Sequence, residues 1–288
     1  VTTSFVIISK DEATLDETLV LLEDQIKSLP TDAEIVVVDA SSGRMDAIRR
    51  AHATVVWIDF QAPEGVTVSI PHQRNAGVRA ARGDIVVFTD CGCLPEPTWA
   101  RELIAPILDR AESVTVGRTV GRGPTNLYRS TETSTSTYLA ECPTINVAFS
   151  RAAFDAVAGF DESFAYGSDI DFSWRLVAAG HRLRSVPQAV ISVNWGNPRR
   201  QIRRAWLYGR ARARLYRKHP ARARSAWRTD PVPFAYGLFL LGLPLTLFIP
   251  VYPLLLILPV ARNRDEPALL MLLDHILNGA GFLRGMLD

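Results

Sequence analysis

The sequence is short of cysteine, of nucleotide-binding glycine signatures and, over one long stretch, of acid. Three cysteines in 288 residues, Cys91, Cys93 and Cys142, exclude a disulfide framework and fit a reducing compartment. The Cys91/Cys93 pair has no nearby pair of Cys or His to complete a zinc tetrahedron, so small buried packing is expected of it. No G-x-G-x-x-G follows the first apolar run and no G-x-x-x-x-G-K-[ST] occurs. The backbone cradles of dinucleotide oxidoreductases and P-loop NTPases are therefore missing. "GRTVGRG" (117–123) is glycine-rich in another place and reads as a turn. The opening "VTTSFVIISKDE" lacks the charged start, long apolar stretch and cleavage site of a signal peptide, so the first half is expected in the cytoplasm. From Phe172 to Thr229 there is no Asp or Glu against fifteen Lys and Arg, although the whole chain carries only +2. That segment should face something negative.

What is present is an alternation of strand and helix. Apolar residues make up 48%, enough for the core of one large domain, or of one domain with an appendage. "SFVIIS" (4–9) is a β-branched run, and Leu15, Leu19, Leu22 and Ile26 then recur at helical spacing. "EIVVVDAS", "MDAIRRAH", "ATVVWIDF", "QRNAGVRAARG" and "DIVVFTD" continue the pattern. Such alternation predicts an α/β domain with a mostly parallel sheet and helices on both faces, its ligands at the carboxyl ends of the strands. The residues expected there are Ser9 with Asp11 and Glu12, then Asp39, then Asp90. A single acidic strand end is usually a turn residue or a cap; three in succession point toward a site.

A second acidic cluster lies in "AGFDESFAYGSDIDFSWRLVAAGHRL" (158–183). Ser168 is a natural N-cap, and Asp169 and Asp171 suit the positive end of a helix dipole. The same position also suits a general base facing the strand-end acids.

Taken in order, these segments resemble the inverting family 2 glycosyltransferases of GT-A fold. "VVVDASS" stands for the first acidic strand end, "HQRNAGVRAARGDIVVFTDCG" for the Arg-Asn-x-Gly helix and the D-x-D strand, and "GFDESFAYGSDIDFSWRL" for the Gly-Phe-Asp-Glu and Glu-Asp segments. The likeness runs from about Ser4 to Trp195. It implies a mixed, mostly parallel sheet flanked by helices. It also implies transfer of a hexose-like sugar from a nucleotide-diphosphate donor, uridine being the commonest carrier in the family, with inversion onto an acceptor hydroxyl. Under the resemblance, Asp39 meets the donor's base, Ser9 and Glu12 line base and ribose, Arg74 serves the nucleotide, and Asp90 is the first acid of D-x-D near ribose and metal. Asp169 is then the catalytic base, Asn146 lines the sugar or acceptor, and Trp174 and Arg175 close the acceptor side, a place in the core being an equal alternative for Trp174.

Three departures bear on the metal. The D-x-D reads Asp90-Cys91-Gly92, the Glu-Asp reads Ser168-Asp169, and Asn194 and Trp195 stand where relatives often offer a histidine. A divalent cation, Mg²⁺ or Mn²⁺, with Asp90 as its protein ligand, is therefore expected to bind weakly, to bind through the donor's phosphates and water, or to be replaced by basic residues. A catalytically silent relative that only binds a sugar nucleotide, or serves as a membrane partner, is the alternative.

After a transferase domain at 1–198, the sequence predicts a basic amphipathic helical linker at 199–230 and a hydrophobic, membrane-associated helical region at 231–288. The basic stretch with Trp206, Tyr208, Tyr216 and Trp227 would suggest nucleic acid on its own. Its neighbour, an almost uncharged run of roughly thirty residues where ~20 would cross a bilayer, favours lipid instead. Prolines at 244, 250, 253 and 259 argue for a kinked hairpin or a broken span. "EPALLMLLDHILNGAGFLRGML" follows as an amphipathic helix. The expected setting is the cytoplasmic side of the cell membrane. The expected partners are a nucleotide-sugar donor, membrane lipids, and a glycan, lipid-linked or small-molecule acceptor, with no nucleic acid.

Overall fold

The computed structural model describes residues 1–122, 136–196, 198–256 and 268–288, and forms two compact units that part at Asn194. In the first unit the chain runs β1 (Thr2–Ser9), α1 (Leu15–Ile26), β2 (Asp32–Asp39), α2 (Asp46–Ala51), β3 (Val56–Asp59), α3 (Ile70–Ala80) and β4 (Ile85–Thr89). It continues through β5 (Cys93–Pro95), α4 (Trp99–Leu108), β6 (Val114–Arg122), β7 (Tyr138–Leu139), β8 (Asn146–Ser150), α5 (Arg151–Ala156), α6 (Ser168–Ala178) and β9 (Leu183–Asn194). The unbroken apolar runs of β1, β2 and β4 form central strands because both of their faces are covered: Phe5, Val6, Ile7, Val36, Val37, Val86 and Val87 are all buried.

Among the described residues the sheet order is β3-β2-β1-β4-β8-β6-β9-β5, with β7 paired to β9. Strands β1 to β4 are parallel, as expected. Beyond β4 the sheet is mixed: β8 runs antiparallel to β4 and β6, β6 and β9 are parallel, and β5 and β7 lie antiparallel to β9. "Mostly parallel" thus holds for the first half alone. The "GRTVGRG" segment is strand rather than turn at least to Arg122, where β6 ends; Gly123 lies outside the described residues. Gly117 sits at a register shift against β9, between it and Arg118, where a Cβ would collide with Asn146 and the Ala189 carbonyl.

Strand order reverses between β1 and β4, since β2 and β3 build outward on one side of β1 and β4 adds on the other. The crevice outside the carboxyl ends of such a pair is the usual ligand site of an open α/β sheet. Helix α3 lies close against β1 and β2 because Gly77 has no side chain to meet Val6 and Val38. Beneath it an aromatic cluster fills the core, with Phe160 and Phe172 4.4 Å apart and Phe149 edge-on to Phe172 at 5.4 Å.

The second unit is helical: α7 (Pro198–Lys218), α8 (Pro220–Thr229), α9 (Pro231–Leu241), two 3-10 turns (Leu243–Leu247 and Tyr252–Leu256) and α10 (Ala268–Leu287). Helices α7 and α10 approach closely where Gly209 faces the Asn278 carbonyl and Gly281 faces that of Trp206. Phe234 and Phe282 join α9 to α10 at 4.8 Å. The basic stretch is helical and packs within this unit. No helix among the described residues is long and apolar enough to cross a membrane. The prolines break the apolar run into one helix and two tight turns up to Leu256, and its end at 257–261, with Pro259, lies outside the described residues.

Candidate active site

Three strand ends meet the crevice. Ser9 and Asp39 are directly paired across β1 and β2, and Asp90 follows β4 at once. Asp39 is 5% exposed and its Oδ1 accepts the Ser41 hydroxyl at 2.5 Å. Ser41 Oγ in turn accepts the Asp11 N–H at 2.8 Å, so one hydroxyl ties the loop after β1 to the end of β2. Asp11 holds a left-handed backbone, φ 58°, and receives a two-pronged ion pair from Arg44 at 2.6 and 2.9 Å. Those hydrogen bonds hold the Asp11 carboxyl below the usual carboxylate range. Ser9 Oγ is buried with no partner at ordinary hydrogen-bond geometry, while Glu12 is half-buried on the same loop. Ser41 and Arg44 were absent from the sequence-based site; the only signal for them was their place just beyond Asp39.

The loop after Asp90 is held from α1. Gly92 N–H donates to Thr18 Oγ1 at 3.0 Å, and that hydroxyl donates to the Cys93 carbonyl at 3.1 Å. Gly92 has φ +76°, and a Cβ there would lie 3.0 Å from Thr14 Oγ1. The second D-x-D position is thus a left-handed glycine pressed toward Thr14. Burial pushes the Cys91 and Cys93 thiols up, Cys93 to about 12 with the Asp90 charge adding to the effect, so both stay protonated and suit packing rather than metal binding. No group of three or more His, Cys, Asp or Glu able to hold a metal occurs among the described residues. Asp90 could supply one ligand, which would fit a cation carried in by a diphosphate and would not make a protein-built cage.

The third element is α3 with the turn before α6. Arg74, 8% exposed, points Nη1 at Ser168 Oγ, 3.4 Å away, and lies over the Phe160 ring at 5.6 Å. Its neighbour Asn75 clamps the Gly-Phe-Asp-Glu segment: Phe160 N–H donates to its Oδ1 at 2.9 Å, and its Nδ2 donates to the Phe160 carbonyl and to Glu162 Oε1, both at 2.9 Å. Position N-cap of α6 belongs to Gly167, φ 78°, not to Ser168, which is buried as the first helical residue. Asp169 is half-buried in that first turn, with Oδ1 accepting the Ile170 N–H at 3.0 Å. The Arg74 contact thus reaches the residue immediately before Asp169 in that turn.

The three residues expected on the acceptor side are placed otherwise. Asn146 is 1% exposed; its Oδ1 accepts from Trp99 Nε1 at 2.8 Å and its Nδ2 donates to the Arg118 and Ala189 carbonyls. It stitches β8 to β6 and β9 and has no surface left for a sugar. Arg175 spends its whole fork inside the protein, on Asp171 Oδ2 at 2.8 Å, the Gly159 carbonyl at 2.6 Å and the Val157 carbonyl. Asp171 is fully buried in that pair, and Trp174 is 5% exposed in the core. Asn146, Arg175 and Trp174 therefore brace the site rather than line it.

Comparison with known proteins supplies the rest. The sequence pattern of Glycosyl transferase family 2 matches residues 4–159, and that of Glycosyl transferase family group 2 matches 126–282. The chain is 29% identical over 205 residues to the pre-mycofactocin glycosyltransferase of Mycobacterium tuberculosis, covering 65% of this chain and 43% of that protein. It is 26% identical over 227 residues to the validoxylamine A glucosyltransferase of Streptomyces hygroscopicus subsp. limoneus, covering 64% and 48%. The chain thus spans about half the length of the curated relatives it matches. In fold it is similar to the mannosyltransferase PcManGT from Pyrobaculum calidifontis, solved with GDP-Man and Mn²⁺, with a TM-score of 0.67 at 21% identity over 98% of this chain and 86% of that one. GalNAc-T7, solved with UDP, GalNAc and Mn²⁺, gives 0.53 at 18% identity over 74% and 50%.

Proposed function

The chain belongs to glycosyl transferase family 2, and we propose that it moves a hexose-like sugar from a nucleotide-diphosphate donor to an acceptor hydroxyl, with inversion. The observation that carries this reading is the gathering of Ser9, Asp39 and Asp90 on one edge of the sheet, at the reversal of strand order. Asp39, braced by Ser41, suits a base N–H, and the loop of Ser9 and Glu12 suits base and ribose. Arg74 offers positive charge to the diphosphate. The acceptor oxygen attacks the anomeric carbon while Asp169 takes its proton, and the bond to the diphosphate breaks with its electron pair leaving on the nucleotide. One base and an in-line approach suffice, so no covalent enzyme intermediate forms. A Mg²⁺ or Mn²⁺ carried by the donor would be held by Asp90 and would offset charge on the departing diphosphate.

A lipid-linked or cell-envelope acceptor fits the apolar C-terminal run. Relatives named for pre-mycofactocin and validoxylamine A place other acceptors in the test panel as well. Gly92 and Ser168, standing where the family pattern has acids, favour a second reading in which the protein binds donor without transferring sugar. The deciding experiment compares wild type with Asp169→Asn for donor hydrolysis and transfer over a panel of UDP-, GDP- and TDP-sugars. Transfer lost only in the variant supports the enzyme; two equally inactive proteins that both bind donor support the second reading.

A further inference from the structure

We infer that the helical unit docks on an anionic bilayer through a one-leaflet apolar knuckle, residues 238–256. Leu238, Leu241, Leu247, Phe248, Val251 and Leu254 are all exposed there, Leu247 and Phe248 by 82% and 83%. Soluble proteins rarely leave so continuous an apolar surface in water. From Pro231 to Ala261 the sequence has no charged residue, and the knuckle ends far short of a span.

Its internal chemistry identifies the occupant as hydrocarbon. The Tyr252 hydroxyl donates to the Phe239 carbonyl at 2.9 Å, and its ring stacks on Phe239 at 5.2 Å. Thr246 Oγ1 donates to the Leu243 carbonyl at 2.7 Å. Both side-chain hydroxyls of the segment are thus bonded within it. The amides of Leu245, Phe248, Ile249, Tyr252 and Leu254 donate to carbonyls of the same turns, and Pro244, Pro250 and Pro253 have no N–H to satisfy. A water-exposed loop gains little from such self-sufficiency, whereas a segment entering lipid requires it. The fold of the knuckle is fixed by Gly242, where any Cβ would meet the Tyr252 hydroxyl.

Charge in the same unit names the lipid. Arg203, Arg217, Lys218, Arg224 and Arg228 are exposed on α7 and α8, and Trp227, between the last two, is 56% exposed. Helix α8 leads directly into α9 and the knuckle, so cations and an interfacial tryptophan accompany the apolar segment, as a headgroup contact requires. The inference concerns where the chain works and is independent of its chemistry.

The test is flotation of the full chain with vesicles of phosphatidylcholine alone and with about one third phosphatidylglycerol. Binding to the anionic vesicles is expected, weakened by salt and by Arg224→Gln/Arg228→Gln. Leu247→Glu/Phe248→Glu should lower it about tenfold or more, with donor binding unchanged. Undiminished flotation of the glutamate variant, or no binding of wild type to either vesicle, overturns the proposal. So does loss of a concentration-dependent dimer in that variant without vesicle binding, which would assign the face to a second copy. Should the glutamates lower thermal stability, Phe248→Trp replaces them. Quenching of that tryptophan by brominated lipid beyond the wild-type level is expected, and none overturns the idea.

Discussion

Arg74 Nη1 lies 3.4 Å from Ser168 Oγ, so a side chain of the donor-side helix fixes the residue immediately before Asp169. Ser168 is buried and cannot exchange this contact for water. Under the proposed function, removing the guanidinium therefore acts on two things, the charge offered to the diphosphate and the placement of Asp169 as the base. Arg74→Ala should weaken donor binding and lower kcat, together about 100-fold in kcat/KM, or ~3 kcal/mol. Ser168→Ala should lower kcat several-fold with donor affinity preserved. Steady-state kinetics with calorimetric donor binding separates the two; equal losses in both variants would show that Ser168 has no separate part in placing Asp169.

Gly92 limits how the missing acid can be restored. The positive φ tolerates Asp better than most residues, but its Cβ still comes within 3.0 Å of Thr14 Oγ1. Gly92→Ala should cost about 1–2 kcal/mol by thermal melting. Gly92→Asp should tighten the response to Mn²⁺ only when Thr14→Ala makes room. Asp90→Ala, by contrast, should abolish transfer, which a transfer assay beside a thermal melt of the variant checks.

Much of the donor half was legible in sequence because parallel central strands are plain apolar runs ending at their acids. Ser9, Asp39 and Asp90 stand on one edge as read from pattern alone. The other half was harder. β6 carries glycines that look like a turn, and the reason for Gly117 is the Asn146 side chain filling the space, a contact with no local sequence trace. Arg175 and Trp174 look like surface recognition residues one turn beyond the base. Helical periodicity does not reveal that the Arg175 fork turns inward onto carbonyls of the preceding loop. The donor loop's dependence on Ser41 and Arg44 is likewise a pairing between two strand ends, visible only once β1 and β2 are side by side.

Glu34 sets an acid limit on the fold. It sits at the far edge of the sheet from Asp90, accepting the Ser4 hydroxyl at 2.7 Å and the Arg82 N–H at 2.6 Å, with the Arg82 guanidinium 3.0 Å away. Burial raises its pKa, but the hydrogen bonds from the Arg82 N–H, the Ser4 hydroxyl and the Arg82 guanidinium outweigh that and hold the carboxyl below its ordinary value. A depressed folded pKa gives stability that is present above the unfolded value of about 4.3 and lost as pH falls through the folded one. Wild type should therefore lose melting temperature more steeply than Glu34→Gln below about pH 4.5. At pH 7 Glu34→Gln should be the less stable by about 1–2 kcal/mol. Parallel curves for the two proteins across the acid range would rule out this role.

Arg175 tests whether the acceptor-side expectation or the bracing geometry describes the molecule. Its guanidinium neutralises Asp171, which has no exposed surface, and ties down the carbonyls of Val157 and Gly159. Taking away one partner of a buried pair leaves the other charge unsolvated. Arg175→Gln should thus destabilise the fold by about 3 kcal/mol or more in urea denaturation. Asp171→Asn/Arg175→Gln should recover part of that loss, because no uncompensated charge remains. Below its melting range the double variant should retain the wild-type KM for acceptor. A variant of normal stability with a raised acceptor KM would instead return Arg175 to the binding surface.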